Sequence, residues 1–173
     1  LPDGETALMT AARTGKVDAV NVLLARGANV NAKEPTRGQT ALMWAAAEGN
    51  AAVLRVLIER GADVQTRSNG GFTALLFSVR EGKIAAARTL LQAGASVNES
   101  LAGRRGARGA AGAAGASETE NTPNAFLLAV ANAHYELAAV LLDAGADPNA
   151  APQGWTALHQ LTWVRKAGVG DNH

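Results

Sequence analysis

The chain has 173 residues, 47% of them hydrophobic but only 4% aromatic, and a formal net charge of +1 at neutral pH. It contains no cysteine, which excludes disulfides and thiolate metal sites, and no apolar run long enough to cross a bilayer. With charge so nearly balanced, no global field draws the chain to nucleic acid or to an anionic membrane.

In chain order, the first element opens at Thr6, whose hydroxyl is placed to accept from backbone N–H groups one turn on. Ala7, Leu8, Ala11 and Ala12 then share one face at helical spacing. Gly15 ends that helix and lets the chain reverse, because a left-handed conformation costs glycine little. Val17, Val20, Leu23 and Leu24 form the apolar stripe of a second helix, which Gly27 stops. Asn29-Val30-Asn31-Ala32 leads through an extended turn into a second copy of the whole unit, Thr40-Ala41-Leu42 through Gly61-Ala62-Asp63-Val64. A third copy runs from Thr73-Ala74-Leu75 to Gly94-Ala95-Ser96-Val97-Asn98.

The leading threonines are 34 (40 − 6) and 33 (73 − 40) residues apart. A fixed period of this size predicts a stacked array in which no unit buries its apolar face alone. Alanines at 11, 12, 45 and 46 allow close approach of neighbouring helix pairs, and Leu23, Leu57, Leu90 and Leu141 are expected in the core.

After the third copy the regularity breaks. The next opening residue, Asn124, lies 51 residues on (124 − 73), and the excess sits around Ser100 to Asn121. Ala102-Gly103-Arg104-Arg105-Gly106-Ala107-Arg108-Gly109 leads into an alanine–glycine run with no periodicity, which predicts a flexible loop at residues 100–121, placed between repeats. A fourth copy ends in Gly145-Ala146-Asp147-Pro148-Asn149-Ala150, and a fifth opens at Gly154-Trp155-Thr156-Ala157-Leu158-His159 and stops. The expected organisation is one array over 1–173, with repeats at about 1–33, 34–67, 68–99 and 118–150 and a partial unit at 151–173. Neither end carries a polar capping unit, and the chain opens on Leu1, so an excerpt or a processed form of a longer protein is expected.

These residues resemble the ankyrin repeat, whose pattern opens Gly-x-Thr-Pro-Leu-His-x-Ala-Ala and closes Leu-Leu-x-x-Gly-Ala-Asp-Val-Asn-Ala. The resemblance covers residues 4–99 and 124–163 in register. Alanine replaces the opening proline at Ala7, Ala41, Ala74 and Ala157, and the motif histidine survives only as His159. The resemblance implies an all-α solenoid of helix-turn-helix units joined by β-turn or hairpin connections. It also implies a protein-binding scaffold that meets its partner through turn tips and the exposed side of each first helix. Carried over position by position, the partner-binding residues are Asp3, Glu5, Arg37, Gln39, Phe72 and Trp155 at turn tips. On the helix side they are Arg13, Glu48, Arg80, Glu81, Asn132 and Trp163. Trp44 and Phe77 occupy equivalent places in successive copies; they are expected either to pack between repeats or to touch each other as an inner-face patch.

Chemistry is poorly provided for. Among His134, His159 and His173 no two have metal-ligand spacing, and there is no phosphate-binding glycine loop or activated nucleophile motif. His134 follows Ala133 at the between-helix turn, where the family commonly has Gly-His, so a structural bond to backbone is expected. No enzymatic activity, cofactor or metal is expected. A protein partner is expected, nucleic acid is disfavoured, and the chain is expected to be monomeric. Two alternatives are a targeting segment of a larger enzyme or effector, and polyanion binding through Arg104, Arg105 and Arg108. Asn98-Glu99-Ser100 matches a glycosylation sequon, which matters only in a secretory setting.

Overall fold

The computed structural model describes residues 4–101 and 123–150, with Thr156 and Leu158. The arginine-rich insertion and the partial fifth unit therefore lie outside the described residues, apart from those single positions. Eight helices are found among the described residues: α1 (Ala7–Arg13), α2 (Val17–Ala25), α3 (Ala41–Glu48), α4 (Ala51–Glu59), α5 (Ala74–Arg80), α6 (Ile84–Gln92), α7 (Ala125–Ala131) and α8 (Tyr135–Asp143). They pair as α1/α2, α3/α4, α5/α6 and α7/α8. The first helices α1, α3, α5 and α7 pack side by side in one layer, and α2, α4, α6 and α8 form a second. This is the all-α repeat solenoid expected.

The same local devices recur in every unit. Thr6, Thr40 and Thr73 each accept the backbone N–H three residues on, at 3.2, 3.4 and 3.3 Å. Asn124 does the same for Leu127 at 2.8 Å, so the fourth copy opens as firmly as the others without the usual threonine. Between the helices the chain reverses through a left-handed residue, and here the copies differ. Gly82 takes φ +66°, and a Cβ added there would sit 2.7 Å from the His134 ring. The fourth copy makes the same turn with Ala133 at φ +59°.

Small residues let the layers close. Ala12, Ala45, Ala46 and Ala129 are fully buried in the layer of first helices, and Val20, Leu57, Leu90 and Leu141 are fully buried in the second. Leu23 is only half-buried, contrary to expectation. It lies in α2, which packs on α1 and α4 alone, so among the described residues no earlier repeat covers its other side.

Two ladders fix the register between units. Asn31 Nδ2 donates to Gly61 O at 3.0 Å, Gln65 Nε2 to Gly94 O at 2.9 Å, and Asn98 Nδ2 to Gly145 O at 3.4 Å. The last bond spans 47 residues where the first spans 30, yet it joins equivalent atoms. The insertion thus leaves the stacking register intact. Its two ends meet: Leu101 N–H donates to Pro123 O at 3.3 Å beside an antiparallel bridge between Ser100 and Asn124. A second set of bonds joins the between-helix turns of the second and fourth units to the preceding unit. Asn50 Nδ2 donates to Ala12 O and Arg13 O, both at 2.9 Å, and His134 Nε2 lies 3.1 Å from Arg80 O, the backbone-bonded histidine expected.

Candidate functional site

The connections ahead of α3 and α5 project as two short fingers. In the first, the buried Glu34 carboxylate organises the loop by accepting backbone N–H groups of Thr36 at 2.7 Å, Arg37 at 2.8 Å and Gln39 at 3.0 Å. Burial alone would raise this carboxyl. The N–H groups of Gln39, Arg37 and Thr36, with the Arg37 charge, outweigh that and hold it below the usual glutamate value. The second finger is closed on itself: Ser68 N–H donates to Phe72 O at 2.9 Å, and Phe72 N–H to Ser68 Oγ at 3.1 Å. The fingers are tied together by Asn69, whose N–H donates to Arg37 O at 2.8 Å and whose Nδ2 donates to Thr36 O at 3.2 Å.

Between these fingers and the end of α5 lies a cleft of about 440 Å³. Phe72 and Phe77 form its floor, with ring centroids 5.2 Å apart, and Arg80 lies across both rings at 5.2 and 5.0 Å. Glu81 Oε1 accepts Arg80 Nε at 2.8 Å. Arg37, Gln39, Thr36, Ser68 and Asn69 line the remaining walls. Among the described residues no acidic side chain lines the cleft.

Four of the expected contact residues, Arg37, Gln39, Phe72 and Arg80, therefore converge on one site. Glu81 stands at its edge as the partner of Arg80. Arg13 and Glu48 are exposed at the ends of α1 and α3, and Asn132 is exposed at the end of α7; none lines the cleft. Glu5 is half-buried just ahead of α1. Asp3, Trp155 and Trp163 lie outside the described residues. Of the two expectations for Trp44 and Phe77, packing against the core is the one found, and each ring makes a separate stack. Phe77 turns to Phe72 of its own finger, and Trp44 lies under Arg13 at 5.3 Å. Both rings pack against the core, Phe77 almost completely buried. The Trp44 Nε1 is buried without a hydrogen-bond partner among the described residues. Thr36 and Ser68 were not anticipated as lining residues. One signal was available: the 34-residue first spacing against 33 for the second, which lengthens the finger that carries Thr36 and Arg37.

Among the described residues no group of three or more potential metal ligands comes together, and no helix is long and apolar enough to cross a membrane. What the cleft offers is guanidinium groups, amides and an aromatic floor.

A stack of helix pairs with projecting fingers, held by small buried residues and repeated backbone ladders, defines a repeat-type binding module. The family model for ankyrin repeats in three copies matches residues 28–100, and the single ankyrin repeat model matches residues 3–35. The chain belongs to the ankyrin repeat family, whose members are in general protein-interaction modules and typically not catalysts. No curated protein matches the chain.

Proposed function

We propose that this array binds a partner protein through the cleft between the two fingers, continued over the exposed ends of the first helices. The observation that carries the reading is the convergence of Arg37, Gln39, Phe72 and Arg80 on one cleft. Aromatic and arginine side chains dominate the binding energy of protein interfaces, and here they are held in place before any partner arrives. The fingers are braced by Glu34 and Asn69, so little conformational entropy is lost on docking.

The test is capture of partners from source lysate by the immobilised chain. Phe72→Ala and Arg37→Glu should each deplete the captured proteins. Arg88→Glu, at an exposed position of α6 in the other layer, should leave them bound. Equal capture by all three variants would remove the cleft from the account.

A further inference from the structure

The geometry points to a specific occupant: an extended segment of a partner protein carrying an Asp or Glu side chain beside an aromatic or branched apolar one. The inference rests on the cleft being the recognition site and adds the chemistry of what enters it.

Among the described residues two cations and no anion line the cleft. Glu81 occupies only Nε of Arg80, so both terminal nitrogens of that guanidinium remain for another acceptor. Arg37 is exposed, bonds through its backbone to Glu34 and Asn69, and donates no side-chain hydrogen bond to any described residue. A carboxylate fits both, because guanidinium donors match its two oxygens in a fork. Arg80 is further prepared by sitting over Phe72 and Phe77, which removes freedom it would otherwise lose on binding.

The floor sets the second requirement. Phe72 is only partly buried, and its open face asks for an apolar side chain next to the acid. A volume of about 440 Å³ suits one or two side chains. The walls supply polar groups from Gln39 and Ser68, which suit an extended backbone passing between the fingers. A nucleic acid strand needs a track of cations along its backbone, and the chain's formal charge is only +1.

The probe is a displayed library of random short peptides selected against the intact chain, followed by synthetic peptides amidated at the C-terminus. Enriched peptides should carry Asp or Glu adjacent to Phe, Tyr, Leu or Ile. Replacing that acid by its amide should weaken binding about tenfold. Arg37→Gln and Arg80→Gln should each cost a similar factor, while Arg88→Gln should not. Arg37→Gln keeps the test decisive if Arg80→Gln impairs folding, because the Arg37 side chain donates no hydrogen bond to any described residue and the backbone N–H groups that hold Glu34 stay in place. Peptides that lose affinity on Phe72→Ala but tolerate loss of the acid would overturn the carboxylate and leave the cleft standing. Peptides indifferent to Phe72→Ala, or a library with no cleft-dependent member, would overturn both. Loss of binding by C-terminal amidation would assign the anion to a chain terminus instead, and a single-stranded RNA oligonucleotide displacing the peptides from the cleft would assign it to phosphate; either overturns the proposal.

Discussion

The seam between the second and third repeats and the seam between the third and fourth share one register but differ in closeness. At the former, α3 packs extensively on α5, and the Gln65–Gly94 rung measures 2.9 Å. At the latter, α5 meets α7 and α6 meets α8 less extensively, and the Asn98–Gly145 rung lengthens to 3.4 Å. Polar side chains brace both seams: Lys33 Nζ donates to Arg67 O at 3.0 Å in the former, and the latter has its own set. Arg67 donates to Gly71 O at 2.8 Å and Ser100 O at 2.9 Å, and the Thr73 hydroxyl donates to the buried Glu99 carboxylate. The lesson is that caps and ladders fix how units align, whereas small-residue packing fixes how tightly they hold. A chain can therefore accept extra residues between units at no loss of alignment and some loss of cohesion.

The largest effect that tests this difference comes from Leu57 and Leu141, which hold equivalent places in α4 and α8 and are both fully buried. Truncating either to alanine is expected to cost about 2–5 kcal/mol. Their reach should differ. Leu57→Ala should weaken protection throughout α1 to α6, because closely coupled units unfold together. Leu141→Ala should release α7 and α8 first and leave α3 to α6 protected. Native-state hydrogen exchange distinguishes the two, and simultaneous exposure of all helices in both variants would make the seams equal.

The two buried glutamates sharpen the comparison with a smaller effect. Glu34 is satisfied by backbone N–H groups and titrates below its ordinary value of 4.5, so its contribution is present above that pH and lost as pH falls through the lowered native value. Glu99 is different. Burial raises it above 4.5, and the Thr73 hydroxyl and the Arg67 charge offset this only in part. Its contribution is fully present below 4.5 and lost as pH rises through the raised native value. Glu34→Gln is therefore expected to destabilise by about 1–3 kcal/mol at neutral pH. Glu99→Gln should instead flatten the decline in α7 and α8 protection between pH 4.5 and neutrality. Urea denaturation and hydrogen exchange from well below pH 4.5 up to neutrality check both signs, and a Glu99→Gln variant with an unchanged pH slope would acquit the carboxylate.

Much of this was legible in the sequence because it is local. The threonine caps, the glycine reversals and the leucine positions of the second helices each follow from residues a few places apart, and the structure places them as read. Leu23 misled because its burial depends on a neighbour on each side, and among the described residues only one side of α2 is covered by another repeat. For Phe77 and Trp44 the core packing was one of the two expectations and the mutual contact the other; equivalent positions in a repeat share a direction but not a partner. Phe72 lies nearer to Phe77 than the preceding copy's tryptophan does, and it exists in only one finger. Nothing in the sequence set Glu34 and Glu99 apart, since nothing along the chain shows that a loop will fold over the first or a seam close on the second. The cleft itself was half visible: its arginines and Phe72 were named one by one, but their convergence depends on the Asn69 bonds between fingers.

The smallest expected effect lies at Ala133, where the fourth unit departs from the glycine used in the other three. A left-handed alanine at φ +59° carries strain of about 1–2 kcal/mol, because its Cβ crowds the following carbonyl. Glycine would relieve that strain but adds freedom to the unfolded chain worth roughly 0.5–1 kcal/mol. Ala133→Gly is therefore expected to stabilise by about 0.5–1 kcal/mol. The gain should appear as slower exchange in α7 and α8 and not in α3 or α4, since Ala133 is exposed and belongs to the loosely held unit. A gain spread evenly over all the helices would mean that the fourth repeat unfolds only with the rest, which contradicts a weaker third seam more directly than any change at the seam itself.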